Sequence, residues 1–321
     1  MAKSTSTTKA KTKTTNKKAS TRTAAAKTTK SSVKAKATKS TAASKKTVTK
    51  KAPVKVAEVK KTSTNKASFT SRFNQQYVLA GIILGLEAVL AGILMKADSV
   101  QVFMSHLTKN ELLSSTSTVL AYAAHPLYEL QLRWVLVVFL GVSALFAIAR
   151  GTKWQHREAA GVKTGVQPLR WIDFAVTGAI FFELVGLLNG VQDAVALKLG
   201  MLSIALTAYF AWMYERENAA TGKPARASLI GSQVAAAVPI LALAATMWST
   251  YVYGMVRSPW YAYAAAAAFV AWLCVIQLKL KKTPAAGKQN YASVDKSYNV
   301  LTFLARTTVA VVLIVGLYAS K

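Results

Sequence analysis

Seven stretches of about twenty mostly apolar residues follow one another between Tyr77 and Tyr318, and that is the length a helix needs to cross the hydrocarbon of a bilayer. They run from Tyr77 to Met95, Leu130 to Ala149, Leu169 to Leu188, Ala194 to Tyr214, Leu229 to Trp248, Trp260 to Leu280 and Tyr298 to Tyr318. Inside hydrocarbon no water reaches the backbone N–H and C=O groups, so each stretch must close its own hydrogen bonds as a helix. The expected fold is an all-α membrane protein with seven transmembrane helices.

Such a chain cannot spread a net charge of +29 evenly, and it does not. Residues 1–70 hold twenty Lys and Arg against Glu58 alone, in a Lys/Thr/Ser/Ala mixture almost free of large apolar side chains. That composition buries too little to offset the entropy of ordering, so residues 1–70 read as a disordered tail and residues 71–321 as the membrane domain. A basic tail is drawn to anionic lipid at about 1 kcal/mol per charge near the surface. Nucleic-acid phosphate is the other polyanion open to it, although no aromatic residues are interleaved to stack on bases. Remaining solvated is the third possibility. No short apolar core follows the first lysines, which argues against a secretory signal, and the tail's single arginine, Arg22, fits a transit peptide poorly. Cys274 is the only cysteine, so no intramolecular disulfide forms, and His106, His125 and His156 are too scattered for a zinc cluster.

Lys and Arg crowd into alternate connections. Arg150, Lys153, Arg157 and Lys163 follow the second span; Arg216, Lys223 and Arg226 follow the fourth; Lys279, Lys281, Lys282, Lys288 and Lys296 follow the sixth. The positive-inside rule puts that face in the cytoplasm with the tail, so the N-terminus is expected to be cytoplasmic and the C-terminus extracellular. The long first connection, Lys96 to Glu129, is then external, and its SVQVF and STVLAYA segments have strand character. Pro168 suits the first turn of the third helix. Pro239 predicts a kink in the fifth, and Gly81 and Gly85 form a GxxxG spacing for close helix packing in the first.

Four ionisable residues fall well inside the apolar runs: Glu87, Asp173, Glu183 and Arg306. A guanidinium stays charged at any ordinary pH, so placing one in hydrocarbon costs several kcal/mol unless its charge is answered. A neighbouring carboxylate offsets much of that cost. Counted at 1.5 Å per residue from the basic face, Arg306 lies about 12 Å deep, between Asp173 at about 6 Å and Glu183 at about 21 Å. Either acid is within reach. Thr302, Thr307, Thr308, Asn299, Thr177 and Tyr209 are candidate polar companions. A static interhelical pair and a switch or ion path are both open, while a proton relay lacks a membrane histidine. Tyr209, Phe210, Trp212, Tyr261, Tyr263 and Trp272 read as packing or interfacial belt rather than a cofactor box.

RWIDFAVTGAI around Asp173, DAVAL at Asp193 to Leu197, FLGVSALF at Phe139 to Phe146 and NYASVDKSYNVLTFLAR at Asn290 to Arg306 together resemble heliorhodopsins from about Phe73 onward, and the tail has no counterpart there. The resemblance implies a rhodopsin-like bundle with a cytoplasmic N-terminus, usually a homodimer, engaged in light sensing or signalling rather than vigorous pumping. It also implies strands in a long external first loop. Retinal would be held as a Schiff base on a lysine of the seventh helix, with an acid of the third helix as counterion at the position of Asp173. The lysine position falls on Arg306, with no other lysine between Lys296 and Lys321, and Ala147 and about Gly81 stand where the family often has pocket histidines. A guanidinium is cationic and a poor nucleophile, and forms no stable Schiff base. The implied protein is a heliorhodopsin homologue without covalent retinal and with no other cofactor. In it Arg306 takes the place of the protonated Schiff base opposite Asp173 and locks the third helix to the seventh.

Other readings remain open at this level. One is a channel or transporter using Glu87, Asp173, Glu183 and Arg306. Another is a photoreceptor with non-covalent retinal, a third an anchor tethering nucleic acid to the membrane, and a fourth a lipid or carotenoid in the retinal pocket. The lipid bilayer, a second copy of the chain and a signalling partner of unknown identity are the expected partners. An enzyme is the least supported class, because no nucleophile–base pair, phosphate loop or metal cluster stands out in the sequence.

Overall fold

A computed structural model of the chain describes residues 62–109, 120–254 and 258–319. The expected tail lies outside them as far as residue 61; its last residues, from Thr62, are already helical. Helix α1 (Thr62–Leu94) leads into a hairpin of β1 (Ser99–Lys109) and β2 (Leu120–Gln131). Then come α2 (Leu132–Gly151), α3 (Gln155–Thr164), α4 (Pro168–Leu188), α5 (Ala194–Thr221), α6 (Arg226–Tyr253) and α7 (Trp260–Ala319). All seven expected spans are present, as Gln75–Leu94, α2, α4, α5, α6 and two pieces of α7, Trp260–Thr283 and Tyr291–Tyr318. Their outward faces carry exposed apolar side chains such as Leu86, Ile93, Leu145, Leu202 and Leu241, the surface a bilayer covers.

Helix α7 counts 60 residues, and a straight helix of that size would reach about 90 Å. It instead doubles back. Tyr298 Oη donates to the Ile276 carbonyl at 3.2 Å, Trp272 Nε1 donates to Thr302 Oγ1 at 3.4 Å, and a Cβ added at Gly316 would lie 2.5 Å from that of Tyr261. The reversal falls between Thr283 and Tyr291, so the two halves run antiparallel side by side. Helical backbone replaces the loop expected between Leu280 and Tyr298. The loop expected after the second span likewise contains α3, which ends on Gly165 in the left-handed conformation (φ 79°) that glycine adopts at least cost.

Close approaches follow the small residues. A Cβ at Gly81 would come within 2.6 Å of Ile148 Cγ1 and 3.0 Å of the Ala144 carbonyl, so the GxxxG segment packs α1 against the backbone of α2. Pro239, inside α6, has no N–H to give the carbonyl four residues back. Ser203 of α5 donates its hydroxyl to that Ala235 carbonyl instead, which is how proline is accommodated within a membrane helix.

The hairpin is antiparallel, with a bulge between Val102 and Phe103, and both expected strand segments belong to it as far as the described residues extend. It folds over the α4–α5 turn, where the Phe103 N–H donates to the Gln192 carbonyl at 2.8 Å. Asp193 joins the two elements: its carboxylate caps α5 by accepting the Ala196 N–H at 2.9 Å and accepts both the backbone N–H and the hydroxyl of Ser105. The Ser105 hydroxyl and then the Ala196 amide hold the Asp193 carboxyl below its usual value. Because the folded-state value is depressed, the stability it adds is present above the unfolded carboxylate range and disappears as the pH falls through the folded value. Asp193→Ala is expected to unfold about 1 kcal/mol more easily than the parent at neutral pH. In detergent melts the gap should close as the pH drops below about 4.

Candidate functional site

Asp173 and Thr177 sit one turn apart on α4, a spacing that puts both on one helix face. That face meets the second half of α7. Arg306 donates from Nη2 to Asp173 Oδ1 at 2.9 Å and to Thr177 Oγ1 at 2.6 Å, with both charged side chains buried. The Thr177 hydroxyl donates in turn to the Asp173 carbonyl at 2.6 Å, which fixes it as an acceptor toward Arg306. Arg150 of α2 approaches the other carboxylate oxygen at 3.7 Å, so Asp173 lies between two guanidinium groups.

From Arg150 the charged network runs on toward the basic face. Its guanidinium is held by Glu158 of α3 at 2.5 Å, by the Tyr77 hydroxyl of α1 at 2.8 Å and by Asn299 of α7 at 3.2 Å. Asn299 donates to Asp295 at 3.1 Å, and Asp295 accepts Arg170 of α4 at 2.6 Å. Arg170 also pairs with Glu215 of α5, whose second oxygen takes the Trp171 indole N–H at 2.9 Å and the Gln167 amide at 3.2 Å. Arg150, Arg170, Glu158, Glu215 and Asp295 are all at most 5% exposed. Aromatic faces cover what the carboxylates leave: Arg150 lies 4.5 Å from the Tyr77 ring centre and Arg170 lies 4.3 Å from that of Tyr298.

A cavity of about 240 Å³ opens beside this network, between α1 and the second half of α7. Arg306, Asp173, Arg150 and Arg170 form its inner wall, and Leu79, Ala80, Ile83, Val300 and Phe303 form its outer, apolar one. On the other side of Asp173 the bundle is filled by rings. Phe174 stacks on Trp272 at 4.7 Å, Trp272 meets Phe181 at 5.5 Å, and Phe181 packs edge-on to Phe269 at 5.0 Å.

Comparison with known families matches residues 72–317 to heliorhodopsin. The chain belongs to the heliorhodopsin family. No curated protein matches the chain. Membership makes this a rhodopsin-like, multi-pass membrane protein of a retinal-binding class, and the family match begins where the basic tail ends.

Of the four membrane charges expected in this heliorhodopsin, only Asp173 and Arg306 come together. Glu183 pairs with the exposed Lys198 of α5 at 3.2 Å. Glu87 lies on α1 beside Thr307 of α7, away from Asp173 and Arg306. Thr302 lines the cavity and bonds Trp272 rather than Arg306, Thr308 and Tyr209 face outward, and Asn299 belongs to the Arg150 network. The sequence reading missed that network, counting Arg150 as a loop charge and giving Glu158, Glu215 and Asp295 no role. A signal was available, because acids are scarce in this chain, 12 against 41 Lys and Arg, and these three fall among the basic residues, Glu215 and Asp295 at the basic ends of spans and Glu158 in the basic connection after the second.

Removing one member of a buried ion pair strands the other. Glu215→Ala is expected to lower the unfolding free energy in detergent by about 3 kcal/mol. Lys198→Ala, which breaks an exposed pair, should lower it by less than about 1 kcal/mol.

Proposed function

We propose that this heliorhodopsin is a chromophore-free signalling or scaffolding protein, in which a fixed guanidinium stands where a retinal Schiff base would face its counterion. The observation that carries this reading is the buried contact of Arg306 with Asp173 at 2.9 Å. The residues do not fit a buried retinylidene link. The cation opposite Asp173 is a guanidinium, with no nucleophilic amine to condense with an aldehyde. Lys296, the one amine among the cavity's lining residues, is exposed. With no chromophore to isomerise, the ion pair ties α4 to α7, and any signal must arise from a partner or a ligand that moves those helices.

The same reading places the Arg150–Arg170 network on the cytoplasmic side, because the basic connections lie there. The N-terminal tail is then cytoplasmic and available to anionic lipid or nucleic acid, the C-terminus is extracellular, and two copies associate in the bilayer.

Purified protein mixed with all-trans retinal is expected to show only the free-retinal spectrum. A red-shifted, hydroxylamine-sensitive band would overturn the chromophore-free assignment. Asp173→Asn should lower the unfolding free energy by about 3 kcal/mol, the cost of stranding a buried charge; a melt identical to the parent's would remove the latch.

A further inference from the structure

Arg306 has more donors than the latch uses. A guanidinium carries five N–H groups. Nη2 serves Asp173 and Thr177, while Nη1 and Nε make no hydrogen bond to any described residue. The side chain is 5% exposed, and it lines the cavity between α1 and α7. N–H groups of a cation that open on a cavity and meet no acceptor there mark the place where one would bind.

The rest of the cavity defines that acceptor. Its lining carries Arg150, Arg170, Lys296 and Arg306 against Asp173 alone. Counted whole, the network is close to neutral, since Glu158, Glu215 and Asp295 answer Arg150 and Arg170. Those three acids lie behind the wall, and a molecule inside the cavity meets the cations first. The outer wall is apolar and reaches the helix surface, where Leu79 is 59% and Val300 48% exposed to the surrounding lipid. The space, about 240 Å³, falls below the 300–1,000 Å³ typical of pockets that enclose a whole small molecule. It suits the head of a molecule whose body stays outside.

We propose that this cleft binds a single-chain amphiphile bearing one carboxylate, with its headgroup on the free edge of Arg306 and its tail passing between Leu79 and Val300 into the bilayer. A carboxylate forms the charge-assisted hydrogen bonds that guanidinium favours and is small enough for the cavity. A phosphodiester headgroup on two acyl chains is too bulky for it. The proposal rests on Arg306 holding no covalent chromophore, and it supplies the ligand whose arrival would perturb the α4–α7 latch.

The test uses the full chain in phosphatidylcholine nanodiscs, with a conjugated polyene fatty acid as fluorescent probe, its methyl ester as the uncharged control and empty nanodiscs as the blank. Saturable binding is expected for the acid, at least tenfold tighter than for the ester. Ala80→Phe fills the cleft from the lipid side without touching an ion pair, and should weaken binding tenfold or more at an unchanged melting temperature. Arg306→Gln, assayed only if its melt is cooperative, should bring acid and ester to equal affinity. Equal binding of acid and ester by the parent, or parental affinity in Ala80→Phe, overturns the proposal. Neither result depends on the retinal spectrum, so this site and the chromophore-free assignment fail separately.

Discussion

Three arginines that cannot shed their charge dictate how the basic end of this bundle is built. A carboxylic acid or a lysine can escape burial by changing protonation, whereas a guanidinium must be met by acceptors wherever it sits. Arg170 takes its partners from α5 and α7. Arg150 takes its own from α1, α3 and α7, and Arg306 reaches α4. Five spans and the short helix α3 are thereby tied together by groups that lose most if they separate. In lipid, where apolar contact between helices gains little over contact with acyl chains, such polar ties and close packing decide which helices are neighbours. The opposite end uses a different device, the hairpin lying over the α4–α5 turn and the carboxylate of Asp193 that joins them.

Much of the fold was legible because hydrocarbon thickness is a strict ruler. Every span could be located from the length of its apolar run, and Pro168 marks the start of α4 as a proline at a helix N-terminus should. What escaped was helix outside hydrocarbon. KKTPAAGKQN contains a proline and a glycine and reads as a loop, yet helical backbone runs through it. The signal lay just beyond: Tyr291, Asp295 and Tyr298 recur at helical spacing, and all three are buried. Their polarity hid the pattern, since the face that α7 buries there is made for arginine rather than for apolar packing. Residues 62–70 show a similar extension, with helix α1 starting before its apolar part begins.

The pair at the centre was readable for a simpler reason. Arg306 needed an acid within one side chain's reach, and the sequence offered Asp173 and Glu183 as candidates. Depth alone could not choose between them, because it depends on where each helix enters the membrane, and the seventh span starts at Tyr291 rather than at Tyr298. Local chemistry decides instead. Thr177 stands one turn after Asp173 and gives the guanidinium a second acceptor. Glu183 faces α5, where Lys198 can bring its ammonium from the exposed surface.

A guanidinium at such a place offers a different kind of chemistry from an amine. Lysine presents a compact ammonium that, once deprotonated, attacks a carbonyl; arginine presents a flat array of fixed donors and never becomes a nucleophile. Asp173 and Thr177 satisfy one amino group of that array. The ring stack of Phe174, Trp272 and Phe181 closes the bundle on one side of them. On the other side Ala80 and Ala147 are too small to fill the space, and the cleft remains there with the unused donors on its wall. On the proposed reading, whatever binds in the cleft must share Arg306 with the carboxylate that holds two helices together.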